Sequence, residues 1–514
     1  MNWISEWAGR SLGMSITLAT LLSFFATCQA GAGEARDRGL DAEVTREAQR
    51  ILDRLDRIPG QTSGGRVNAS IDLATSTITL DFGRDLIPHY AGAEFEDQMD
   101  QFRHGVTEAV RRYTPPGNIE YRFEGREIMY YFPDQQQEDA DARRSRISGS
   151  GMAMVSAAHG YYRHQRKQAW LWQRPLMNDV REDLITPAYA EELKHWIQER
   201  GRMPVIRPRT SSVDLHEDSG VEWWQVAAKY HLAERFPDNS EIWNSPVGDG
   251  NRDYDQDLRS RPLLANHLET EVALHLHTNG SESEIPSGTR VIYQTGREED
   301  RALAGSVLCY MRELITGQDG YSGFNVEADP RSDNKGENRI AKMASIIIET
   351  AFHSNPNDAL ALQDPVFREA SMKGVEKGYR LWREGKGCNP LKVDPIATIR
   401  VAAGQSRVVD LGFAGFPQYP VVIETKNVAC PPGWKCTDGA VTLPDPDSKP
   451  AQITLRCENA GSAPIYWDTR MVDDDGVKSP PVRHIVQCVR GSGVLASPAA
   501  HADDGRVATA RRLL

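Results

Sequence analysis

The sequence has no apolar run long enough to cross a bilayer. A transmembrane helix needs roughly 18 to 20 consecutive apolar residues, and no stretch of the 514-residue chain reaches that length. Basic residues are also not in excess, because the formal net charge is −12 and acidic residues are spread along the chain. Since nucleic-acid binding depends on basic patches, this composition argues against a nucleic-acid partner.

The first 30 residues have the layout of a secretory signal. Arg10 precedes the run SLGMSITLATLLSFFATC, which is short and rich in Ser and Thr for a membrane helix, and small residues follow it. This layout predicts cleavage after Ala30, followed by export. Two alternatives are an uncleaved anchor and a lipoprotein acylated at Cys28, although the preceding Phe25-Ala26-Thr27 fits a lipoprotein signal poorly.

Cysteines are few, and no two of them are spaced as CxxC, so a cysteine zinc site is not expected. Removal of the predicted signal leaves six, and an even number in an exported protein predicts disulfides. They are Cys309, Cys388, Cys430, Cys436, Cys457 and Cys488. The last four lie in the C-terminal part of the chain, where we expect two bridges whose pairing the sequence does not specify.

Hydrophobic periodicity predicts a small α+β accessory domain over 41–133. Residues 41–58 have apolar positions at helical spacing, ASIDLATSTITLDF alternates as a hairpin does, and a second helix and strand follow. No catalytic constellation is found in this part of the sequence. We therefore expect the domain to bind a partner or to act as a spacer.

Residues 150–386 alternate short apolar strands with helices, which predicts an α/β fold with a mostly parallel sheet flanked by helices. The polar segment 211–262 interrupts this pattern, and such insertions are usually lids, binding loops or disordered. Short strands over 392–490 predict an all-β sandwich. Residues 491–514 have no periodicity and are predicted to be a disordered tail.

Four residues from separate segments of 150–386 could carry chemistry: His159, Glu182, His277 and Glu349. Two imidazoles and a carboxylate can hold a zinc ion and leave one position open for water, and a further carboxylate can take that water's proton. Functional sites in parallel sheets collect at the carboxyl ends of the strands. His159, His277 and Glu349 each end a predicted apolar strand, so we expect them to lie close together.

The segment from about 150 to 380 resembles zinc-dependent N-acetylmuramoyl-L-alanine amidases of the amidase type 3 family. The stretch IIIETAFHSNP is similar to the family segment that holds the catalytic glutamate, with Ala351 in place of a glycine. Its matching positions are Glu349, Thr350, Phe352, Ser354, Asn355 and Pro356. The resemblance does not extend to the first or the last predicted domain.

Three shorter motifs support the same resemblance. Ala265-Asn266, followed by His277-Thr278-Asn279, is similar to the family's second histidine segment. His159-Gly160 corresponds to the first histidine turn, although Ser156-Ala157-Ala158 replaces the family's Asp-Pro-Gly. Glu182 lies at the family's distance before a glycine, which is Gly201 in this chain.

The resemblance implies that His159, Glu182 and His277 bind one zinc ion and that Glu349 is the catalytic glutamate. His164 is an alternative to His159, and Asp183 or Glu191 are alternatives to Glu182. His275 shares a strand face with His277, because side chains repeat with a period of two. We expect His275 to support the site or to be a core histidine.

The activity that the resemblance implies is hydrolysis of the amide bond between N-acetylmuramic acid and the L-alanine of the stem peptide. Peptidoglycan is the expected partner, with a protein activator as a further candidate, and the expected location is the periplasm or cell envelope of a bacterium. In some family members an insertion placed like 211–262 is inhibitory. Two rival functions are a zinc peptidase acting on the stem peptide and a non-catalytic wall-binding protein, which the altered loop at Ser156-Ala157-Ala158 motivates.

Overall fold

The computed structural model describes residues 39–111, 117–135, 150–248, 251–448 and 450–491, together with the backbone of 508–512. These residues form three main hydrophobic cores, which lie within 44–129, within 153–379 and, for the largest part, within 391–488. Leu314 and Ala370 of the central part belong to the third core, so the C-terminal domain packs directly on the central one. The predicted signal at 1–30 lies outside the described residues.

The N-terminal domain combines a three-stranded sheet with two helices. Its elements are α1 (39–54), β1 (Val67–Asp72), β2 (Thr77–Phe82), α2 (Ala93–Val110) and β3 (Ile119–Phe123). β1 and β2 form the predicted antiparallel hairpin, and β3 adds to β2 in parallel after α2 has crossed the sheet. The alternating side chains of β2 and the apolar stripe of α2 form the core of this domain.

The central domain contains ten strands, most of them short. In chain order they are β4 (Ala153–Ala157), β5 (Tyr161–His164), β6 (Ala169–Trp172), β7 (Val205–Ile206), β8 (Leu215–His216), β9 (Val221–Glu222), β10 (Val272–Asn279), β11 (Arg290–Gln294), β12 (Arg331–Asp333) and β13 (Ala344–Phe352). Six of them form one sheet in the order β12-β11-β13-β10-β4-β7. β13, β10, β4 and β7 are parallel, whereas β11 is antiparallel to β13. The predicted mostly parallel sheet with flanking helices is therefore confirmed.

Helices cover both faces of this sheet. They are α3 (Glu182–Gly201), α4 (Ala228–Arg235), α5 (Ser240–Trp243), α6 (Arg252–His267), α7 (Glu298–Gly317), α8 (Gly336–Ile340), α9 (Pro356–Gln363) and α10 (Pro365–Arg383). Side chains of α3, α7 and α10 join the main core with every second residue of β4, β10 and β13. The other strand face packs a smaller apolar cluster that includes Ala265 of α6. His275, His277 and Glu349 belong to this second face because of the period of two.

The segment 211–262 is folded onto the central domain. It contains β8, β9, α4 and α5, and it ends inside α6. Its predicted end at 262 is wrong, since Pro262 lies within the helix and a proline in a polar sequence masks the helical pattern. Asp257 and Arg261, on α6, are 0% and 1% exposed, so this part of the segment is buried structure.

The described residues of the C-terminal domain form two packed β-sheets, as a sandwich requires, and a separate two-stranded sheet. Its strands are β14 (Lys392–Val393), β15 (Ile399–Ala402), β16 (Gln405–Asp410), β17 (Phe413–Ala414), β18 (Val421–Ala429), β19 (Trp434–Thr437), β20 (Gly439–Leu443), β21 (Gln452–Cys457), β22 (Ile465–Val472), β23 (Val482–Val489) and β24 (Ala508–Arg512). The larger sheet has the order β15-β23-β22-β18-β20, and the second has the order β16-β21-β24-β19.

The tail prediction is wrong at Ala508–Arg512. The backbone of β24 pairs with β19 and β21, so it fills a gap between two strands that lie far away in sequence. Such pairing satisfies backbone groups along strand edges and leaves no signal in the local hydrophobic pattern. The rest of 492–514 lies outside the described residues.

The six cysteines form three disulfides: Cys309–Cys388, Cys430–Cys436 and Cys457–Cys488. The two bridges expected in the C-terminal domain are thus present. The third bridge ties α7 of the central domain to the chain that leads into the sandwich. Within the described ranges, no helix is both long enough and apolar enough to span a membrane.

Candidate active site

Three of the four predicted site residues meet at the carboxyl edge of the sheet. His159 lies two residues after the end of β4, His277 lies near the end of β10, and Glu182 is the first residue of α3. One potential ligand atom from each of the three lies within 4.8 Å of the others, and all three residues are buried. The distance from Glu182 Oε1 is 3.3 Å to His159 Nε2 and 3.1 Å to His277 Nδ1. The structure therefore places two imidazole nitrogens around one carboxylate oxygen.

A hydrogen bond to its other nitrogen holds the imidazole of His159 in place. His159 Nδ1 lies 2.9 Å from Oε1 of Gln173, which can only accept a hydrogen bond, so Nδ1 carries the proton. Nε2 then carries a lone pair. It is buried and has no hydrogen-bond partner among the described residues. A buried nitrogen lone pair that faces a carboxylate is what a metal ligand requires.

The turn that carries His159 has an unusual backbone. His159 has a φ of 57°, a left-handed conformation that is uncommon for residues other than glycine. Gly160 follows with a φ of 139°, and a Cβ there would lie 2.6 Å from Cα of Ala227. Gly160 N donates to Asp183 Oδ1 over 3.0 Å. The glycine and Asp183 thus allow a turn that differs in sequence from Asp-Pro-Gly-His-Gly to present the histidine inward.

His277 is held by Glu337, a residue that the sequence reading did not identify. Glu337, in the short helix α8, accepts a hydrogen bond from His277 Nε2 over 2.8 Å. With Nε2 engaged by Glu337, Nδ1 is the nitrogen that faces Glu182, at 3.1 Å from its Oε1. His275 Nδ1 lies 3.1 Å from the other oxygen of Glu337. His275 therefore faces the same carboxylate that holds His277.

The electrostatics of the cluster favour a positive charge at its centre. Burial lowers the pKa of His277, but Glu337 and Glu182 outweigh burial and raise it to about 10. Burial raises the pKa of Glu182, but His159 and His277 hold it well below the usual value, so this carboxylate is ionised at neutral pH. The same two imidazoles that stabilise the anion can share a metal ion with it, since nitrogen and carboxylate ligands suit zinc.

Glu349 lies beside this cluster and is the fourth predicted residue. β10 and β13 are parallel neighbours, and His277 is paired with Glu349 in their register. The side chain is partly exposed to a cleft, but Oε2 is buried with no hydrogen-bond partner in the described part of the chain. Burial raises the pKa of Glu349 to about 7. A carboxylate with a free oxygen and such a pKa can both accept and release a proton near neutral pH.

Comparison with known proteins identifies the domain that holds this site. Residues 154–379 match the family model of N-acetylmuramoyl-L-alanine amidases. The match lies within the central domain that holds this site and covers less than half of the chain. No curated protein matches the chain.

Three solved structures illustrate the distant similarity of the amidase domain to bacterial enzymes. The catalytic domain of CwlV from Bacillus (Paenibacillus) polymyxa is 16% identical, covers 45% of this chain and 98% of its own, and has a TM-score of 0.30. The CwlD amidase from Clostridioides difficile, solved with the GerS lipoprotein, is 15% identical over 46% and 100%, with a TM-score of 0.32. AmiC2 of Nostoc punctiforme is 14% identical over 46% and 99%, with a TM-score of 0.31.

The alternative ligands considered from the sequence have other roles in the amidase domain. Asp183 accepts hydrogen bonds from the backbone N–H groups of Gly160, Gln173 and Arg174. Glu191 is exposed and paired with Lys194 and Arg207. His164 lies in the β5–β6 hairpin, and the group of His159, Glu182 and His277 is the one that could hold a metal ion within the described residues.

A chain of polar side chains links the two imidazoles behind the amidase site. Gln173 Nε2 donates to Asp257 Oδ2 over 3.0 Å, and Arg261 donates to the same oxygen over 2.5 Å. Arg261 also donates to Glu337 over 2.8 Å. These residues run from the partner of His159 to the partner of His277 without a break. Both α6 residues, Asp257 and Arg261, are fully buried.

The candidate site opens into a cleft of about 1900 Å³. His159, Glu182, His277 and Glu349 lie on one wall, at the edge of the central sheet. Residues from α1 and α2 of the N-terminal domain also line this cleft. The N-terminal domain therefore forms part of the cleft into which the site opens.

Proposed function

We propose that the protein is an exported, zinc-dependent peptidoglycan amidase. Its reaction is hydrolysis of the amide bond between the lactyl group of N-acetylmuramic acid and the L-alanine of the stem peptide. The observation that carries this proposal is the convergence of His159 Nε2, Glu182 Oε1 and His277 Nδ1 inside an amidase-family domain. The other nitrogen of each imidazole is already engaged, by Gln173 and Glu337.

The donor set fits zinc. Two neutral imidazoles and one carboxylate are a common ligand combination for catalytic zinc, which keeps a fourth position open. The buried, unpartnered Nε2 of His159 and the hydrogen bonds to the outer nitrogens are the features expected of such ligands. When bound, zinc acts as a Lewis acid that polarises the scissile carbonyl and lowers the pKa of a coordinated water.

Glu349 moves the protons of the reaction. Its free Oε2 accepts a proton from the attacking water as the water oxygen bonds to the lactyl carbonyl carbon. The same carboxyl then gives this proton to the nitrogen of L-alanine as the C–N bond breaks. The products are a lactyl carboxylate on the glycan and a peptide with a free amino terminus, so the water is fully accounted for.

We also propose that the protein acts in the periplasm or cell envelope of a bacterium. Its three disulfides fit an oxidising compartment. The signal that would direct it there lies at 1–30, outside the described residues. A protein activator is a further part of this proposal. Its expected binding surface is the cleft between the N-terminal and central domains, which it would open or close.

The test combines metal content with product analysis. Mature protein is expected to contain one zinc ion per chain, and His277→Ala is expected to lose it. Purified peptidoglycan digested with the protein should release stem peptides that begin with L-alanine, identified by mass spectrometry. Peptides cut within the stem would instead indicate a zinc peptidase, and folded protein that binds no added zinc and releases nothing would indicate a wall-binding protein.

A further inference from the structure

One face of α2 in the N-terminal domain lies against the rim of the proposed metal site. Glu96, Asp97 and Asp100 lie within about one turn of this helix and line the cleft. Each of them contacts a residue of the amidase domain that is itself adjacent to, or in contact with, a group of the site. Two separate sets of contacts connect these acidic side chains to the proposed metal ligands.

The first set of contacts leads to His277. Glu96 Oε1 accepts a hydrogen bond from the backbone N–H of Gly336 over 2.8 Å. Lys335 Nζ donates to Asp100 Oδ2 over 2.7 Å. These two anchored residues immediately precede Glu337, which holds His277 Nε2. Because α8 has only five residues, its few internal hydrogen bonds cannot position Glu337 alone.

The second set of contacts leads to Glu182. Asp97 Oδ1 lies 2.7 Å from an Nη of Arg174. The hydroxyl of Tyr254 donates to the other oxygen of Asp97 over 2.8 Å, which fixes the carboxylate. Arg174 Nε lies 3.7 Å from Glu182 Oε2. The guanidinium therefore faces the outer oxygen of Glu182 and leaves Oε1 directed at the two imidazoles.

We propose that α2 of the N-terminal domain positions the metal ligands Glu182 and His277, through Asp97 and Arg174 on one side and through Glu96, Asp100 and Glu337 on the other. The N-terminal domain is then a structural part of the metal centre as well as a wall of the cleft. This inference rests on the proposed zinc site, and it assigns a role to a domain in which the sequence shows no catalytic motif.

The energetics of buried charge support a rigid interface. The side chains of Lys335 and Glu96 are 10% and 13% exposed, so their charges are largely removed from water. Buried charges are costly unless each one has a partner, and a lost partner is strongly unfavourable. The pairs across this interface therefore hold the two domains in one relative position. Small shifts of α2 are passed to Arg174, which is bonded to Asp97, and to Glu337 through the adjacent Gly336 and Lys335.

The test measures zinc affinity in the full-length protein. Zinc dissociation constants are obtained by competition with a chromophoric chelator for wild type, Glu96→Ala, Asp97→Ala and the double variant. The matched control is Glu94→Gln, which loses an ion pair with Arg166 across the same domain interface but has no route to a ligand. Cobalt(II) substituted for zinc reports the ligand geometry through its visible absorption spectrum, a readout that general packing does not change.

Loss of the positioning contacts should weaken zinc binding by about 10- to 100-fold in the double variant, with an altered cobalt spectrum. Glu96→Gln should recover most of the loss at that position, because its amide oxygen can still accept from Gly336. Asp97→Asn, which keeps the size of the side chain, should show a smaller loss and covers the case in which the double variant does not fold. Folded variants with wild-type affinity and spectrum would overturn the inference, whereas a wild type that binds no zinc would overturn the proposed function instead.

Discussion

Replacing Glu349 with glutamine should abolish most of the activity and leave the zinc site intact. Glutamine keeps the size of the side chain but cannot accept a proton at neutral pH. General-base catalysis by a positioned carboxylate contributes about 10²- to 10⁴-fold in rate, which corresponds to about 3–5 kcal/mol in the activation free energy. The upper half of that range is expected here, since Glu182 and Glu337 are committed to the two imidazoles.

The structure also predicts what this substitution leaves unchanged. Glu349 is not a member of the group that could hold a metal ion, so the zinc content should remain one ion per chain. Burial raises the pKa of Glu349 to about 7 and so disfavours its charged form. A neutral glutamine avoids this cost, and the thermal midpoint of the Glu349→Gln protein should equal or exceed that of wild type above pH 7.

The assay is the initial rate of stem-peptide release from purified peptidoglycan at saturating zinc, with metal content measured on the same samples. Glu284→Gln is the matched control, because Glu284 is an exposed glutamate on the loop that follows β10. Its rate should lie within about two-fold of wild type, as expected for a surface substitution away from the site. A folded, zinc-loaded Glu349→Gln protein that retains more than a tenth of the wild-type rate would refute the assignment of Glu349 as the base.

Three further predictions follow from the same structure. Removal of zinc by a chelator should lower stability by about 4 kcal/mol at a zinc concentration 1,000-fold above the dissociation constant, and His277→Ala should show no such difference in thermal unfolding with and without zinc. Burial raises the pKa of Asp255 to about 7. The free energy of unfolding of wild type should therefore fall by up to about 4 kcal/mol relative to that of Asp255→Asn as the pH rises from 4 to 7. The same difference in stability between the two proteins at pH 5 and at pH 8 would contradict this. The cysteines of the Cys309–Cys388 bridge are 79 residues apart. Replacing both with serine should lower the free energy of unfolding by about 4 kcal/mol. Denaturant unfolding measures this loss, and a value below about 1 kcal/mol would speak against the prediction.

The sign of the Asp255 prediction follows from proton linkage. A carboxyl group whose pKa is higher in the folded state binds more protons there than in the unfolded chain between the two pKa values. Stability therefore falls as the pH rises through this window and is constant above it. Asparagine does not titrate, so the difference between the two proteins isolates this group from the other carboxylates. Asp255 accepts from the first N–H of α2, and the measurement thus also reports on the domain interface.

Local patterns were sufficient to predict that the candidate residues lie together at one edge of the sheet. His159, His277 and Glu349 each lie at or near the carboxyl end of an apolar strand, and parallel strands bring their carboxyl ends to one edge. Glu182 was found through the resemblance to the amidase family, from its distance before Gly201 at the start of a long helix. These signals lie in residues that are neighbours in sequence, so they can be read from one chain without an alignment of homologues.

The supporting residues could not be predicted in this way. Gln173 and Glu337 lie in segments without strong periodicity, and each becomes part of the site only through contacts with residues far away in sequence. Asp257 and Arg261 were hidden because a polar stretch with a proline predicts a loop. The docking of α2 was missed for the same reason, since ion pairs between domains leave no mark on either partner's local pattern.

The chain of polar side chains that links the two imidazoles has a consequence for double-mutant experiments. Asp257 accepts from both Gln173 and Arg261 through one oxygen, so the two imidazoles share a common support. Interaction free energies between residues of one network commonly reach 0.5–3 kcal/mol. Substitutions at Gln173 and Glu337, on opposite sides of the site, should then have non-additive effects on metal affinity. The two histidines behave as one coupled unit, and neither can be re-engineered for another metal without changing the other.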